Sequence, residues 1–202
     1  MKTNPTNGFS LFNSNSYHNV TGIVALLLLI LAAGRSAAAT ITWTGAASVD
    51  WTNSANWSPP QVPTNSDTVV INSGNITFAS NSVFGTLNFN GGIISGPVVL
   101  ATNAVMNWTG GRLGQGSSLV VLSNALVNLT TSTEKDLGGP MTNFGQVNLS
   151  GNNFYVLNDG GPWRGSVTNT GLWDMQADVT LYSYFGGVNA TFGNRGTFRK
   201  SA

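Results

Sequence analysis

NFGQVNL at 143–149, NTGLWDM at 169–175 and NRGTFRK at 194–200 are three copies of one seven-residue pattern. The glycines of the three copies are 26 and then 25 residues apart. That period suits one turn of a solenoid. GTLNF at 85–89 fits the same frame without the leading asparagine. The repetition therefore predicts stacked turns in preference to a globular sandwich.

Short β-strands are predicted throughout the chain after Thr40, where no stretch carries the i, i+3, i+4 apolar stripe of a helix. Apolar residues recur there in pairs two positions apart: Val69 and Ile71, Ile76 and Phe78, Leu87 and Phe89, Met106 and Trp108, Val127 and Leu129, Val147 and Leu149, and Val179 and Leu181. Turn segments rich in glycine and asparagine lie between these pairs, as at 90–92, 110–111, 138–140 and 159–162. The chain is therefore expected to be all-β, a parallel β-helix.

Stacking of the turns brings equivalent residues about 4.8 Å apart. Val147, Trp173 and Phe198 are then expected to form an inward apolar column. Lys200 stands where the two earlier copies carry Leu149 and a methionine. Either the inward column ends at this lysine, or the strand turns outward.

The polar positions of the repeat predict an outward column of Asn148, Asp174 and Arg199. Asp174 and Arg199 are expected to pair on an exposed face, where an ion pair contributes at most about 1 kcal/mol. The repeated glycine allows a corner that a β-branched residue cannot make. The asparagine two positions earlier either adopts the left-handed conformation or joins a side-chain amide ladder.

Residues 1–39 are predicted to be a signal peptide. IVALLLLILAA at 23–33 is too short to cross a bilayer of roughly 30 Å, but it suits the apolar region of such a peptide. Ala37 and Ala39 fit an A-x-A cleavage rule, so cleavage is expected after Ala39. The long N-terminal region carries only Lys2 as a firm positive charge, which keeps an uncleaved N-terminal anchor as the alternative. Both readings direct the chain out of the cytoplasm.

Composition excludes several kinds of site. The chain has no cysteine, and its one histidine, His18, lies in the predicted signal peptide. The mature chain is therefore expected to have no Ser-His or Cys-His pair, no His/Cys metal site and no cofactor. The formal net charge is +1, without a basic stripe. Nucleic acid and anionic membrane are therefore not expected partners, and no membrane span is expected in the mature chain.

The C-terminal half resembles the repeats of large secreted bacterial proteins of the autotransporter and filamentous-adhesin kind. The resemblance is carried by GTFRKS at 196–201 and GLWDMQ at 171–176. The segment from Thr42 to Ile71, with Trp43, Trp51 and Trp57, resembles the N-terminal part of such proteins. The resemblance implies a parallel β-helix in an adhesin or surface-layer component, with no catalytic residue carried over.

Three regions follow from these observations: residues 1–39 as signal peptide, 40–75 as an N-terminal capping segment and 76–202 as solenoid repeats. Proteins of the resembled kind continue into an anchoring or sorting region, whereas this sequence stops within a repeat at Ala202. The sequence is therefore expected to be a fragment of a longer protein.

Aromatic residues offer two interpretations. Trp43, Trp51 and Trp57 either cap the apolar interior of the first turn or stack on sugars, and capping is preferred. Trp108 and Trp163 are either sugar platforms or residues packed at corners.

The acidic residues suggest a catalytic alternative. One group of charged residues could serve a polysaccharide hydrolase or lyase: Asp159, Arg164, Asp174 and Asp178. Calcium binding through Asp174 or Asp178 is a further alternative. Paired catalytic carboxylates need to lie a few ångströms apart in a cleft. Spread over two turns, these residues are interpreted as a solvated face.

Two further motifs are given structural interpretations. GRLGQG at 111–116 is interpreted as a turn, because it lacks the order and the following lysine of a phosphate loop. Asn56, Asn75, Asn107 and Asn148 begin N-x-S/T sequons, which matter only in a glycosylating host.

The sequence thus predicts a secreted or surface-exposed structural and adhesive β-solenoid without catalytic activity. Polysaccharide or host and cell-surface components are its expected partners, and no ligand-binding residue can be assigned. A carbohydrate-binding module is the alternative, followed by a carbohydrate-active enzyme built on a β-helix.

Overall fold

The structure, a computed structural model, describes residues 1, 37–80, 82–184 and 188–202. Most of the predicted signal peptide, including His18, lies outside the described residues. Ala38–Ala202 form one compact unit. Its strands are β1 (Thr40–Trp43), β2 (Trp57–Ser58), β3 (Thr68–Ile71), β4 (Asn75–Thr77), β5 (Thr86–Phe89), β6 (Ile93–Ser95), β7 (Pro97–Leu100), β8 (Val105–Trp108), β9 (Gly111–Leu113), β10 (Ser118–Val121), β11 (Leu126–Leu129), β12 (Lys135–Leu137), β13 (Pro140–Asn143), β14 (Gln146–Leu149), β15 (Phe154–Leu157), β16 (Ser166–Asn169), β17 (Leu172–Met175), β18 (Leu181–Tyr184), β19 (Thr191–Asn194) and β20 (Thr197–Lys200). A short 3-10 helix occupies Ser54–Asn56.

Three sheets run along the solenoid. Sheet A has the order β2-β1-β3-β5-β8-β11-β14-β17-β20, sheet B the order β18-β15-β12-β9-β6-β4, and sheet C the order β19-β16-β13-β10-β7. From β5 onward each full turn supplies one strand to each sheet, as β8, β9 and β10 do. Strand pairing within the described residues is parallel except between β1 and β2. The chain is an all-β parallel β-helix of about six turns, which confirms the predicted fold.

The predicted inward column is present in sheet A. Val147 pairs with Trp173, and Trp173 pairs with Phe198. The first two are fully buried, whereas Phe198, on the last described strand, is 49% exposed. Lys200 lies opposite Met175, and its Nζ is 2.8 Å from Asp178 Oδ1. The apolar column that contains Leu149 and Met175 therefore ends at Met175, the first of the two predicted outcomes.

The asparagines at the repeated corner form a side-chain amide ladder. Of the two predicted roles, left-handed backbone or amide ladder, the second is the one observed. Asn143 Nδ2 donates to Asn169 Oδ1 at 2.7 Å, and Asn169 Nδ2 donates to Asn194 Oδ1 at 2.7 Å. Asn143 and Asn169 are fully buried. The corner glycine is needed for space, since a Cβ on Gly171 would lie 2.1 Å from the carbonyl oxygen of Gly145 in the preceding turn.

Turn length changes along the stack although the register does not. Successive sheet A strands begin 18 to 21 residues apart from β3 to β14, and 25 or 26 residues apart from β14 to β20. Much of the added length in the β14 to β17 turn lies in the corner segment 158–165, and the next turn opens with the segment 176–180. The corners absorb the difference, so the strands stay paired one above another.

An aromatic cluster packs beside the first turn. Trp57 contacts Trp43 and Trp51 edge to face, with ring centroids 4.9 and 4.8 Å apart. Trp57 Nε1 also donates to the carbonyl oxygen of Trp51 at 2.8 Å. All three rings are buried. Their position agrees with the capping interpretation, because a buried ring offers no face to a sugar.

A lysine side chain is fully buried among the described residues of the solenoid. Lys135 is fully buried in β12. Its Nζ donates to the carbonyl oxygens of Thr131, Thr133 and Asn152 at 3.0, 2.6 and 3.1 Å. Burial lowers the pKa of this amine, because removal from water disfavours its charged form. Three carbonyl oxygens satisfy the three hydrogens of the ammonium group.

Candidate functional site

The outer face of sheet A is an asparagine ladder. The four half-buried asparagines at equivalent positions of β5, β8, β11 and β14 are Asn88, Asn107, Asn128 and Asn148. Each later Nδ2 donates to the preceding Oδ1, at 2.8, 3.0 and 3.1 Å. The amides are thus engaged with one another, so this ladder supports the stack more than it offers groups to a ligand.

The ladder continues into the predicted ion pair. Arg199 donates through Nε and Nη2 to the two carboxylate oxygens of Asp174, at 3.1 and 2.6 Å. This bidentate contact holds the pKa of the Asp174 carboxyl well below its usual range. The predicted pairing is confirmed, but the predicted exposed setting is wrong for the carboxylate: Asp174 is only 1% exposed, whereas the Arg199 side chain is 52% exposed. The buried carboxylate depends on Arg199 as its partner.

The candidate catalytic residues are not brought into one site. Asp159 caps its own loop, accepting from the backbone N–H groups of Gly161 and Trp163 at 2.8 and 3.1 Å. Arg164 Nε donates to the carbonyl oxygen of Gly161 at 3.0 Å. Asp174 faces outward on sheet A, and Asp178 pairs with the lysine of β20. Each residue therefore has a separate local role.

A different set of residues converges on the outer face of sheet B. One outward residue from each of β6, β9, β12, β15 and β18 is in register with the next, and together they form what we call the sheet B strip: Ile93, Arg112, Asp136, Tyr155 and Tyr182. Four steps of about 4.8 Å give this strip a length of about 19 Å along the solenoid. Glu134, Trp163 and Tyr184 flank it.

The polar half of the strip is built around a buried carboxylate. Arg112 Nε and Nη2 both contact Asp136 Oδ2, at 2.7 and 2.5 Å. Asp136 is 4% exposed, and its other oxygen, Oδ1, is buried without a hydrogen-bond donor. Glu134 lies beside it. The negative charge of Asp136, followed by burial, raises the pKa of the Glu134 carboxyl.

The aromatic half of the strip consists of Tyr155 and Tyr182, and Tyr184 flanks them. The rings of Tyr155 and Tyr182 stack at 5.0 Å with an interplanar angle of 25°. Tyr184 meets Tyr155 edge to face at 5.4 Å. Tyr182 and Tyr184 are 42% and 54% exposed. Burial first, and then the charge of Glu134, raises the pKa of Tyr155.

Trp163 joins the strip from the long corner after β15. Its ring lies 5.3 Å from the guanidinium carbon of Arg112, in a cation–π contact. The ring also passes close over Gly138, where a Cβ would meet it at 2.6 Å. Arg112 is thus held between a carboxylate and an indole, which fixes the direction of its remaining donors.

A shallow depression of about 340 Å³ lies over the polar half of the strip and is lined by Gly92, Ile93, Gly111, Arg112, Glu134 and Asp136. Hydroxyl groups of a ligand can donate to its carboxylates and accept from its guanidinium. In the described part of the chain, no cluster of three or more His, Asp or Glu side chains is placed to hold a metal ion. Within the same residues no helix has the length and apolar character that a membrane crossing requires.

Trp163, which flanks the strip, is a candidate sugar platform from the sequence, but the sequence assigns no site role to the strip's own residues. The sequence predicts a turn at GRLGQG, but Gly111–Leu113 are strand β9, and only the following residues turn. That interpretation was wrong because the glycine-rich composition concealed the strand that presents Arg112. Trp108, the other proposed platform, is fully buried in the core. Of the sequon asparagines, Asn56 is buried and Asn107 and Asn148 belong to the ladder, while Asn75 is exposed.

The charge beside Asp136 gives a pH-dependent prediction. The pKa of Glu134 is raised on folding, so its contribution to stability is fully present below the unfolded pKa and is lost as pH rises through the folded pKa. Glu134→Gln is therefore expected to be more stable than the wild type at about pH 7, by at most about 1 kcal/mol because the site is exposed. The difference is expected to vanish near pH 3. Urea unfolding at the two pH values measures it, and a less stable variant at neutral pH would contradict the expectation.

These features define the class of protein: a parallel β-solenoid whose sheet B carries one outward strip of charged and aromatic residues. A comparison with protein-family models finds no match for the chain, and comparisons with the curated proteins and with solved structures find none either.

Proposed function

We propose that this chain is an exported structural and adhesive β-solenoid without catalytic activity. The observation that carries the proposal is the unbroken register of the three sheets, which repeats outward side chains at a fixed spacing along the stack. Such a stack is a rigid, extended surface. Export rests on the apolar run at 23–33 and the alanines before Thr40.

The proposed lack of catalysis is supported by the setting of two adjoining carboxyl groups among the described residues, Asp136 and Glu134. Asp136 is buried and held by Arg112, and Glu134 lies on the open rim of a shallow depression. Acid–base catalysis needs its carboxyl groups in a site that limits water, and this depression is open to solvent. The sheet B strip offers an open surface, which suits binding. A carbohydrate-binding role is therefore the second candidate, favoured by the exposed tyrosines.

One experiment tests export and the non-catalytic role together. The full chain is expressed in a bacterium, and the cells are separated into cytoplasm, surface and medium. We expect the protein at the surface or in the medium, with Thr40 as its first residue by N-terminal sequencing. The recovered protein is expected to release no reducing ends or unsaturated products from polysaccharides. Retention in the cytoplasm, or cleavage of any polysaccharide, would overturn the proposal.

A further inference from the structure

We propose that the sheet B strip binds a neutral polysaccharide, laid along the solenoid axis across Arg112, Asp136, Tyr155 and Tyr182. The inference rests on the extracellular role proposed above and assigns it a ligand class and a site. Its support is the contact between an aromatic surface and a polar depression within one strip.

The aromatic half suits the apolar face of a sugar ring. Tyr182 and Tyr184 are exposed, although most other aromatic side chains of the described residues are buried in the core. Tyrosine combines an apolar ring with a polar hydroxyl, so it can pack against C–H groups and bond a hydroxyl at the same time. Stacking against Tyr155 limits the rotation of the Tyr182 ring, so little conformational entropy remains to be lost on binding.

The polar half contains an oxygen that lacks a donor. Asp136 lines the depression, its Oδ1 is buried without a hydrogen-bond donor, and Arg112 occupies the other oxygen of the same carboxylate. Buried polar atoms are nearly always hydrogen-bonded, and an unsatisfied one destabilises the folded chain. A sugar hydroxyl entering the depression would donate to Oδ1 and accept from the guanidinium.

Charge and shape select the class of ligand. Asp136 and Glu134 face the depression against one guanidinium, so an acidic sugar chain would meet net repulsion. A strip about 19 Å long has room for several sugar units in a row, whereas a pocket for a chain end would be closed. The ligand is therefore an uncharged polymer bound along several sugar units.

Affinity electrophoresis of the exported full chain tests the inference. The gels contain hydroxyethylcellulose, xyloglucan or galactomannan as neutral probes, and polygalacturonate as the acidic probe. We expect retardation by at least one neutral probe. Tyr182→Ala is expected to weaken that binding at least tenfold, and Tyr184→Ala to weaken it as well. Phe144→Ala is the matched control, because Phe144 is 48% exposed but lies outside the strip, between β13 and β14.

The outcomes separate this inference from the proposed function. Retardation by no neutral probe, retardation by polygalacturonate alone, or equal affinity in wild type and Tyr182→Ala would each overturn it. Equal loss in Phe144→Ala would overturn it too, because the effect would then not be specific to the strip. Circular dichroism identical to wild type shows that each variant is folded. Cleavage of a probe would contradict the proposed lack of catalysis but not the proposed binding site.

Discussion

Gly171→Ala is expected to destabilise the solenoid by about 3 kcal/mol or more, because the added methyl group has no space. Its Cβ would lie 2.1 Å from the carbonyl oxygen of Gly145 and 2.7 Å from the carbonyl carbon of Phe144. Both atoms are backbone, so relief requires the two turns to separate. That separation would weaken the pairing of β14 with β17. Urea unfolding followed by far-UV circular dichroism measures the loss.

Gly193→Ala is the matched control for this substitution. Gly193 lies within β19, and the nearest heavy atom to its Cβ position is the carbonyl oxygen of Val167 at 3.9 Å. Alanine restricts the unfolded chain, so this variant is expected to equal or exceed the wild type by up to about 1 kcal/mol. Identical unfolding midpoints for the two variants would show that close approach of the turns is not what the corner glycine provides.

Asn169→Ala is expected to cost about 2–3 kcal/mol. Asn169 lies in the middle of the buried ladder, where its Oδ1 accepts from Asn143 and its Nδ2 donates to Asn194 and to the carbonyl oxygen of Thr197, the last at 3.1 Å. Alanine removes the hydrogen bonds that these partners make with Asn169, and each buried group left unsatisfied lowers the free energy of unfolding by about 1–3 kcal/mol. Thermal or urea unfolding measures the change.

The outer ladder supplies the comparison for Asn169. Asn128 makes the same two amide contacts, at 3.0 and 3.1 Å, but it is half-buried and water can replace its partners. Asn128→Ala is therefore expected to lose less than about 1 kcal/mol. If both variants lost the same amount, burial would not be what makes the corner ladder important.

The sequence predicted the later turns better than the earlier ones. Between β14 and β20 the corners repeat Asn-x-Gly at 25 or 26 residues, so the period is visible by alignment. The turns before β14 are shorter, unequal in length, and cornered by other residues, such as Ala104 and Ala125 before β8 and β11. Stacking requires only that the strands of successive turns stay in register, so the number of residues per turn can vary there.

The sheet B strip could not be found from local motifs. Arg112, Asp136, Tyr155 and Tyr182 are separated by 24, 19 and 27 residues, because corners of different length intervene. The signal that was available is the apolar residue following each of the first three, in GRL, KDL and FYV. Aligning strands and leaving corner lengths free would have placed these residues in one column.

Lys135 was likewise beyond sequence reasoning. The sequence presents it as one of a few cations beside Glu134 and Asp136, and its neighbours suggest a solvated surface position. The strand alternation places it inward, and the carbonyl oxygens of two loops surround its amine. The loops that supply those oxygens have no recognisable motif.

Because the amine of Lys135 is enclosed, chemical labelling of this residue can measure local opening of the solenoid. An acylating reagent reaches Nζ only when the corner after β11 opens, whereas Lys200, with its side chain 47% exposed, reacts from the folded chain. The ratio of the two labelling rates reports the free energy of that local opening. The labelling rate of one natural side chain thereby reports how often the middle turns of the stack open.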